Sequence, residues 1–144
     1  MKKNLLITLL SFFLFIFNYN LLYAKNSYFK EGKKLFDNKK YKDSKFYFEK
    51  DIVFNPKSEN SYLYLAKIFK EEKKENLEEN NLNTVLLLNP KNEEAIYLLT
   101  LLNIKQSNFS KAKSLITTMS LVCKKMCSKK IELKEKLDSS QISK

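Results

Sequence analysis

Two Asn-Pro dipeptides, Asn55-Pro56 and Asn89-Pro90, stand 34 residues apart. Proline has no amide hydrogen to donate and drives the residue before it out of the helical region, so a helix must stop at each one. Helix-like stretches precede them, at 42–54 and 77–88, and polar clusters follow, Lys57-Ser58-Glu59-Asn60 and Lys91-Asn92-Glu93-Glu94. The same stop at a fixed period marks an array of repeated units. One glycine and two prolines in 144 residues are too few for a turn-rich β fold. The chain therefore reads as long helices joined by short turns.

Aligned on the prolines, the segments run 25–58, 59–92 and 93–126. Tyr28, Tyr62 and Ile96 coincide, as do the compact Gly32, Ala66 and Thr100 and the apolar Phe48, Leu82 and Ile116. Three positions break the pattern: Asn103 against Leu35 and Phe69, Glu75 against Tyr41 and Phe109, and Glu78 against Ser44 and Ala112. Each segment reads as two amphipathic helices. In the first, Tyr28, Leu35 and Phe36 stripe one helix, and Tyr41, Phe48 and Ile52 stripe its mate. Turns are expected at Asn38-Lys39-Lys40, Lys73-Lys74 and Gln106-Ser107-Asn108. Ser58 and Asn92 suit N-caps, since their side chains can accept from free amides of a first turn. Glu59, Glu93 and Glu94 then sit at the positive end of a helix dipole.

These residues carry a resemblance to the tetratricopeptide repeat (TPR) family over roughly 25–126. They are Tyr28, Gly32, Leu35, Tyr41, Ser44, Phe48 and Pro56, then Tyr62, Leu65, Ala66, Phe69, Leu82 and Pro90, then Leu99, Phe109, Ala112 and Ile116. Glu31, Glu75 and Glu78 depart from the family pattern, and Lys124 stands where the third closing proline would be. The resemblance implies an all-α fold, a right-handed superhelical stack of about three TPR-like helical hairpins plus a C-terminal capping helix. The cap is expected within 127–138, helical over 128–137, with Ile131, Leu133 and Leu137 apolar among charges. A polar last helix covers the final apolar face of such an array. Residues 139–144 are expected to form a flexible tail.

The resemblance also implies a concave groove, lined by the first helix of each hairpin, that binds protein segments. Carried over by position, it holds Asn26, Phe29, Lys33 and Phe36, then Asn60, Leu63, Tyr64, Lys67 and Lys70, then Glu94, Tyr97, Leu101 and Lys105. Apolar rings framed by lysine suit a segment of acidic character. Against this stands plain packing between hairpins for Phe29, Leu63 and Leu101.

Residues 1–24 read as an export leader. Lys2 and Lys3 precede an apolar run at 5–17, and Ala24 suits the position before a signal cut. The uncharged stretch 5–24 is also just long enough to serve as an uncleaved inner-membrane anchor. Both readings place the remainder outside the cytoplasm, in the periplasm or cell envelope.

The net charge is +11, and every basic residue is lysine. Without arginine the chain lacks the planar fork that reads phosphate and guanine, so nucleic acid is not expected as a partner. No histidine is present, which removes the usual general base and the commonest metal ligand. A single glycine allows no phosphate-cradling loop, and the pairs Glu71-Glu72 and Glu78-Glu79 read as solvated helix charges. No enzyme, metal or cofactor is therefore expected. Cys123 and Cys127 are the one reactive pair. Within one helix their Cβ atoms would stand about 5–6 Å apart, and a disulfide needs roughly 3.5–4.5 Å. A bond therefore requires a turn at Lys124-Lys125-Met126; a disulfide, free thiols and a metal or redox role all stay open. The expected function is an exported cell-envelope scaffold or adaptor for protein–protein interaction. The alternative is a basic, membrane-associated surface that binds anionic lipid or cell-wall polymer.

Overall fold

A computed structural model of the chain describes residues 28–142. The candidate leader and Asn26 lie outside the described residues. Those described form seven helices and no strand. They are α1 (28–37), α2 (Tyr41–Phe54), α3 (Glu59–Glu71), α4 (Glu75–Leu88), α5 (Glu93–Lys105), α6 (Phe109–Val122) and α7 (Lys129–Ile142). The chain divides into two compact units, one ending at Pro56 and the other beginning at Lys57. None of the described helices is long and apolar enough to cross a membrane.

The first unit is the α1–α2 hairpin. The two helices come close at Gly32, where a Cβ would fall within 2.9 Å of the buried Phe48 ring. The Ser44 hydroxyl donates to the Gly32 carbonyl at 2.8 Å, which ties the two helices at the same level. Aromatic contacts complete the packing: Tyr28 stacks on Phe54 at 5.4 Å, and Phe29 lies 5.8 Å from Phe48.

The second unit holds the hairpins α3–α4 and α5–α6, with α7 laid against α5 and α6. Leu63, Ala66, Leu82, Val85 and Leu99 belong to one buried cluster, and Ile104, Ala112, Ile116, Leu133 and Leu137 form a second. Tyr97 packs against both. Within the second unit the hairpins stack and α7 covers them, and the all-α class expected from sequence is the one observed.

The turns repeat at a finer level than their polar residues announce. Lys39, Lys73 and Ser107 each adopt a left-handed conformation, with φ of 59°, 57° and 62°. The next amide in each turn then bonds back five residues, to the carbonyls of Leu35, Phe69 and Asn103 at 2.8–2.9 Å. This is the six-to-one closure that satisfies the last carbonyls of a helix, and a residue of positive φ makes it possible.

The expectation for Asn92 holds, and several others are corrected. Asn92 caps α5, accepting from the Ala95 amide at 2.9 Å. Ser58 does not cap α3 in this way; its hydroxyl donates to the Ser61 hydroxyl instead. The last helix extends to Ile142 rather than giving way to a tail at 139, and the Ser139 and Ser140 hydroxyls fold back onto the Lys136 carbonyl. Ile131 is 60% exposed, while Leu133 and Leu137 carry the burial of α7. Leu133 and Leu137 are one helical step apart, and Ile131 falls off their stripe. Glu78 is not solvated but 5% exposed. It occupies the register of Ser44 and Ala112, both fully buried, so the carboxylate goes where the repeat places a small side chain.

Candidate functional site

In the second unit the expected groove residues lie on α3 and α5. Asn60, Tyr64, Lys67 and Lys70 come from α3, and Tyr97, Leu101 and Lys105 from α5. Tyr64, Lys67, Tyr97 and Leu101 are half-buried, while Asn60, Lys70 and Lys105 are exposed. Leu63 belongs to the core and not to this surface. Its neighbour Tyr64, turned about 100° around the helix axis, is only half-buried.

A web of ion pairs joins the helices. The Lys67 ammonium lies 2.6 Å from a Glu94 carboxylate oxygen, linking α3 to α5, and also sits 4.6 Å over the ring of Tyr64. Lys105 pairs with Glu75 at 2.7 Å, linking α5 to α4. Donation from Lys105 and then Gln106 holds the Glu75 carboxyl below the usual range. The Tyr97 hydroxyl donates to Glu132 of α7 at 2.7 Å, and Lys129 pairs with the same carboxylate at 2.7 Å. Lys129 and then Tyr97 bring the Glu132 pKa down to about 2. Burial, followed by this hydrogen bond to Glu132, pushes the Tyr97 phenol up.

A small cleft of about 100 Å³ lies where these helices meet, lined by Lys70, Lys73, Glu75, Glu78, Leu101, Leu102 and Lys105. Burial raises the Glu78 pKa against the pull of Lys70 and Lys105. Leu101 and Leu102 give the cleft its apolar lining. The arrangement offers aromatic and aliphatic surface beside exposed lysines, with Lys70 and Lys105 at its rim. Such a surface can hold a peptide by side-chain burial and rim charge.

In the first unit, Phe29, Lys33 and Phe36 lie on α1. Phe29 and Phe36 pack on their own hairpin mate, with ring centroids 5.8 Å from Phe48 and 5.4 Å from Tyr41. Lys33 bonds Asp37 one turn on at 2.6 Å.

The sequence reading missed the way the second unit's turns are held. Glu93, the first residue of α5, accepts from the backbone amides of Lys124, Lys125 and Met126 at 2.9, 3.0 and 2.6 Å. The Met126 amide foremost, then those of Lys124 and Lys125, keep this carboxyl below the usual range. The same register one repeat earlier holds Glu59, which accepts from the Asn89 side chain at 3.2 Å. Recurrence of glutamate at 59 and 93 was the available signal. Cys123 and Cys127 are joined by a disulfide with Cα atoms 5.2 Å apart. Cys123 has already left the helix, in an extended conformation just after Val122, so the turn needed for closure is present. This clamp and the Glu93 carboxylate close the last hairpin where the earlier ones use Asn-Pro.

No protein-family profile matches this chain, and no curated protein does. Solved structures match in fold. The Yersinia enterocolitica type III secretion chaperone SycD, in complex with a peptide of the translocator YopD, is 10% identical, with a TM-score of 0.72 over 82% of this chain and 92% of SycD. The Arabidopsis OM64 TPR domain is 14% identical, with a TM-score of 0.73 over 83% of this chain and 98% of that domain. The first TPR of Spaghetti (RPAP3), bound to the HSP90 peptide SRMEEVD, is 16% identical, with a TM-score of 0.72 over 84% and 94%. The chain therefore has a TPR-like fold.

Proposed function

We propose that this chain is a non-catalytic interaction module that binds a segment of a partner protein along the α3–α5 surface and works in the cell envelope. The observation that carries the reading is the joint placement of half-buried Tyr64 and Leu101 with Lys70 and Lys105 on the first helices of consecutive hairpins. Two structures of the same fold were solved with peptides, one of a translocator and one of HSP90, which supports a peptide as the occupant. Since Lys67 and Lys105 already have carboxylate partners, an acidic segment would have to compete for them. Lys70 is the cation best placed to meet it first. Export rests on the leader alone, with Lys2, Lys3 and the apolar stretch 5–17 as its support.

Affinity purification of the tagged full chain from native membranes tests both parts. Tyr64→Ala combined with Lys67→Ala should lose the co-purifying protein while the chain stays folded, with its helical content in place. A partner retained by a folded double variant would move the site elsewhere. The N-terminus of the recovered chain decides the leader's fate: a start at Lys25 means cleavage, and an intact start in the membrane fraction means an anchor. An intact chain in the cytosol would refute export. The anionic lipid or wall-polymer alternative draws its support from a different surface.

A further inference from the structure

The penultimate residue of the second helix is apolar and exposed in all three hairpins. Val53, Leu87 and Leu121 share one register and are 75%, 82% and 82% exposed. Four residues after each stands an exposed lysine: Lys57, Lys91 and Lys125. One exposed leucine needs no explanation. The same pairing repeated at every period is a pattern, and neither packing nor the peptide surface on α3 and α5 uses it.

Within the second unit these pairs are brought to a common edge. Leu87 and Leu121 stand in the last turns of α4 and α6, which both pack on α5. Glu93 binds the amides of the α6–α7 turn, so that turn lies beside the α4–α5 turn, whose Lys91 is two residues before Glu93. The edge therefore carries Leu87, Leu121, Lys91, Lys124 and Lys125. The nearby carboxylates are already engaged, Glu59 with the Asn89 side chain, Glu93 with the turn amides and Glu94 with Lys67. The disulfide holds the turn bearing Lys124 and Lys125 in shape.

We infer that this edge docks on the surface of an anionic phospholipid bilayer, with the leucine tips in the headgroup–acyl boundary and the lysines on the phosphates. Charge complementarity points to this occupant: the edge is basic and the whole chain carries +11. At 82% exposure each leucine protrudes as a single tip instead of lining a cleft. A helical peptide needs a groove to lie in, whereas a fluid interface receives separate tips, each gaining from apolar burial while lysines add attraction to anionic lipid. The inference stands apart from the peptide surface, so either can fail without the other.

The chain contains no tryptophan, so a single one reports its own surroundings. Leu87→Trp and Leu121→Trp, each in the full chain, should shift their emission to the blue with vesicles of phosphatidylglycerol and phosphatidylcholine, and not with phosphatidylcholine alone. Adding Lys91→Gln and Lys125→Gln should weaken the apparent affinity roughly 25-fold, at about fivefold per lysine. Asn76→Trp, at the far end of α4, should stay unshifted. Vesicle-bound chain with no shift at either leucine would show that the leader alone holds it, and would overturn the proposal. Equal shifts with neutral vesicles, or a shift at position 76 as well, would also overturn it. A blue-shifted leucine position without vesicles, in a chain of doubled mass, would assign the edge to a second copy instead.

Discussion

Gly32 has the ring of Phe48 where a side chain would stand, and that single contact reverses an ordinary preference. Helix propensity alone favours alanine over glycine by up to about 1 kcal/mol. Overpacking against a buried ring costs about 1–3 kcal/mol, so Gly32→Ala should destabilise the first hairpin by a net of about 1 kcal/mol. Thermal unfolding checks this, and a higher melting temperature would show that the ring yields. Glu78 is the second residue whose surroundings decide its role. Its folded pKa is raised, chiefly by burial, so ionising it opposes folding at neutral pH. Glu78→Gln should therefore stabilise at pH 7, and the gain should shrink as acid protonates the native carboxyl. A destabilised variant would show that attraction to Lys70 and Lys105 outweighs desolvation. From sequence, Glu78 was one acid in a charged run. Only its register with Ser44 and Ala112 hinted at burial, and a break in an alignment does not say whether the residue turns outward or stays.

At the scale of the element, α7 is held by three devices from outside its own helix-forming tendency: the disulfide, the Glu93 carboxylate and the Glu132 cluster. Closing so short a loop should contribute about 2 kcal/mol. Cys123→Ser with Cys127→Ser should lower stability by that amount, and hydrogen exchange should rise first in α7. Glu132 titrates near 2 in the folded chain against an ordinary 4.5, because Lys129 and then Tyr97 donate to it. A depressed carboxyl contributes its full stabilisation above the unfolded value and loses it as pH falls through the folded one. Protection of α7 should thus decline between about pH 4.5 and 2, and Glu132→Gln should flatten that decline. Unchanged pH dependence in the variant would place the acid sensitivity elsewhere. The existence of a last helix could be read from Leu133 and Leu137. Its extent to Ile142 could not, because nothing between Asp138 and Ile142 repeats an apolar stripe.

For the molecule as a whole, α5 is the element around which the second unit is built. It packs on α4, α6 and α7, and eight of its residues are buried. Its amides should be the slowest to exchange in the chain, and faster exchange there than in α3 or α6 would contradict this packing order. That helical hairpins would form and stack was determined by the sequence alone: the Asn-Pro stops at a fixed period and the apolar spacing act on neighbouring residues, so they can be read without knowing the fold. Which charges are free to meet a partner was decided only in three dimensions. Lys67, Lys105 and Tyr97 find Glu94, Glu75 and Glu132, residues 27 to 35 positions away in the chain. The partner of a long polar side chain is whatever the adjoining helix presents at its level, and that level is set by how buried side chains interlock across the interface.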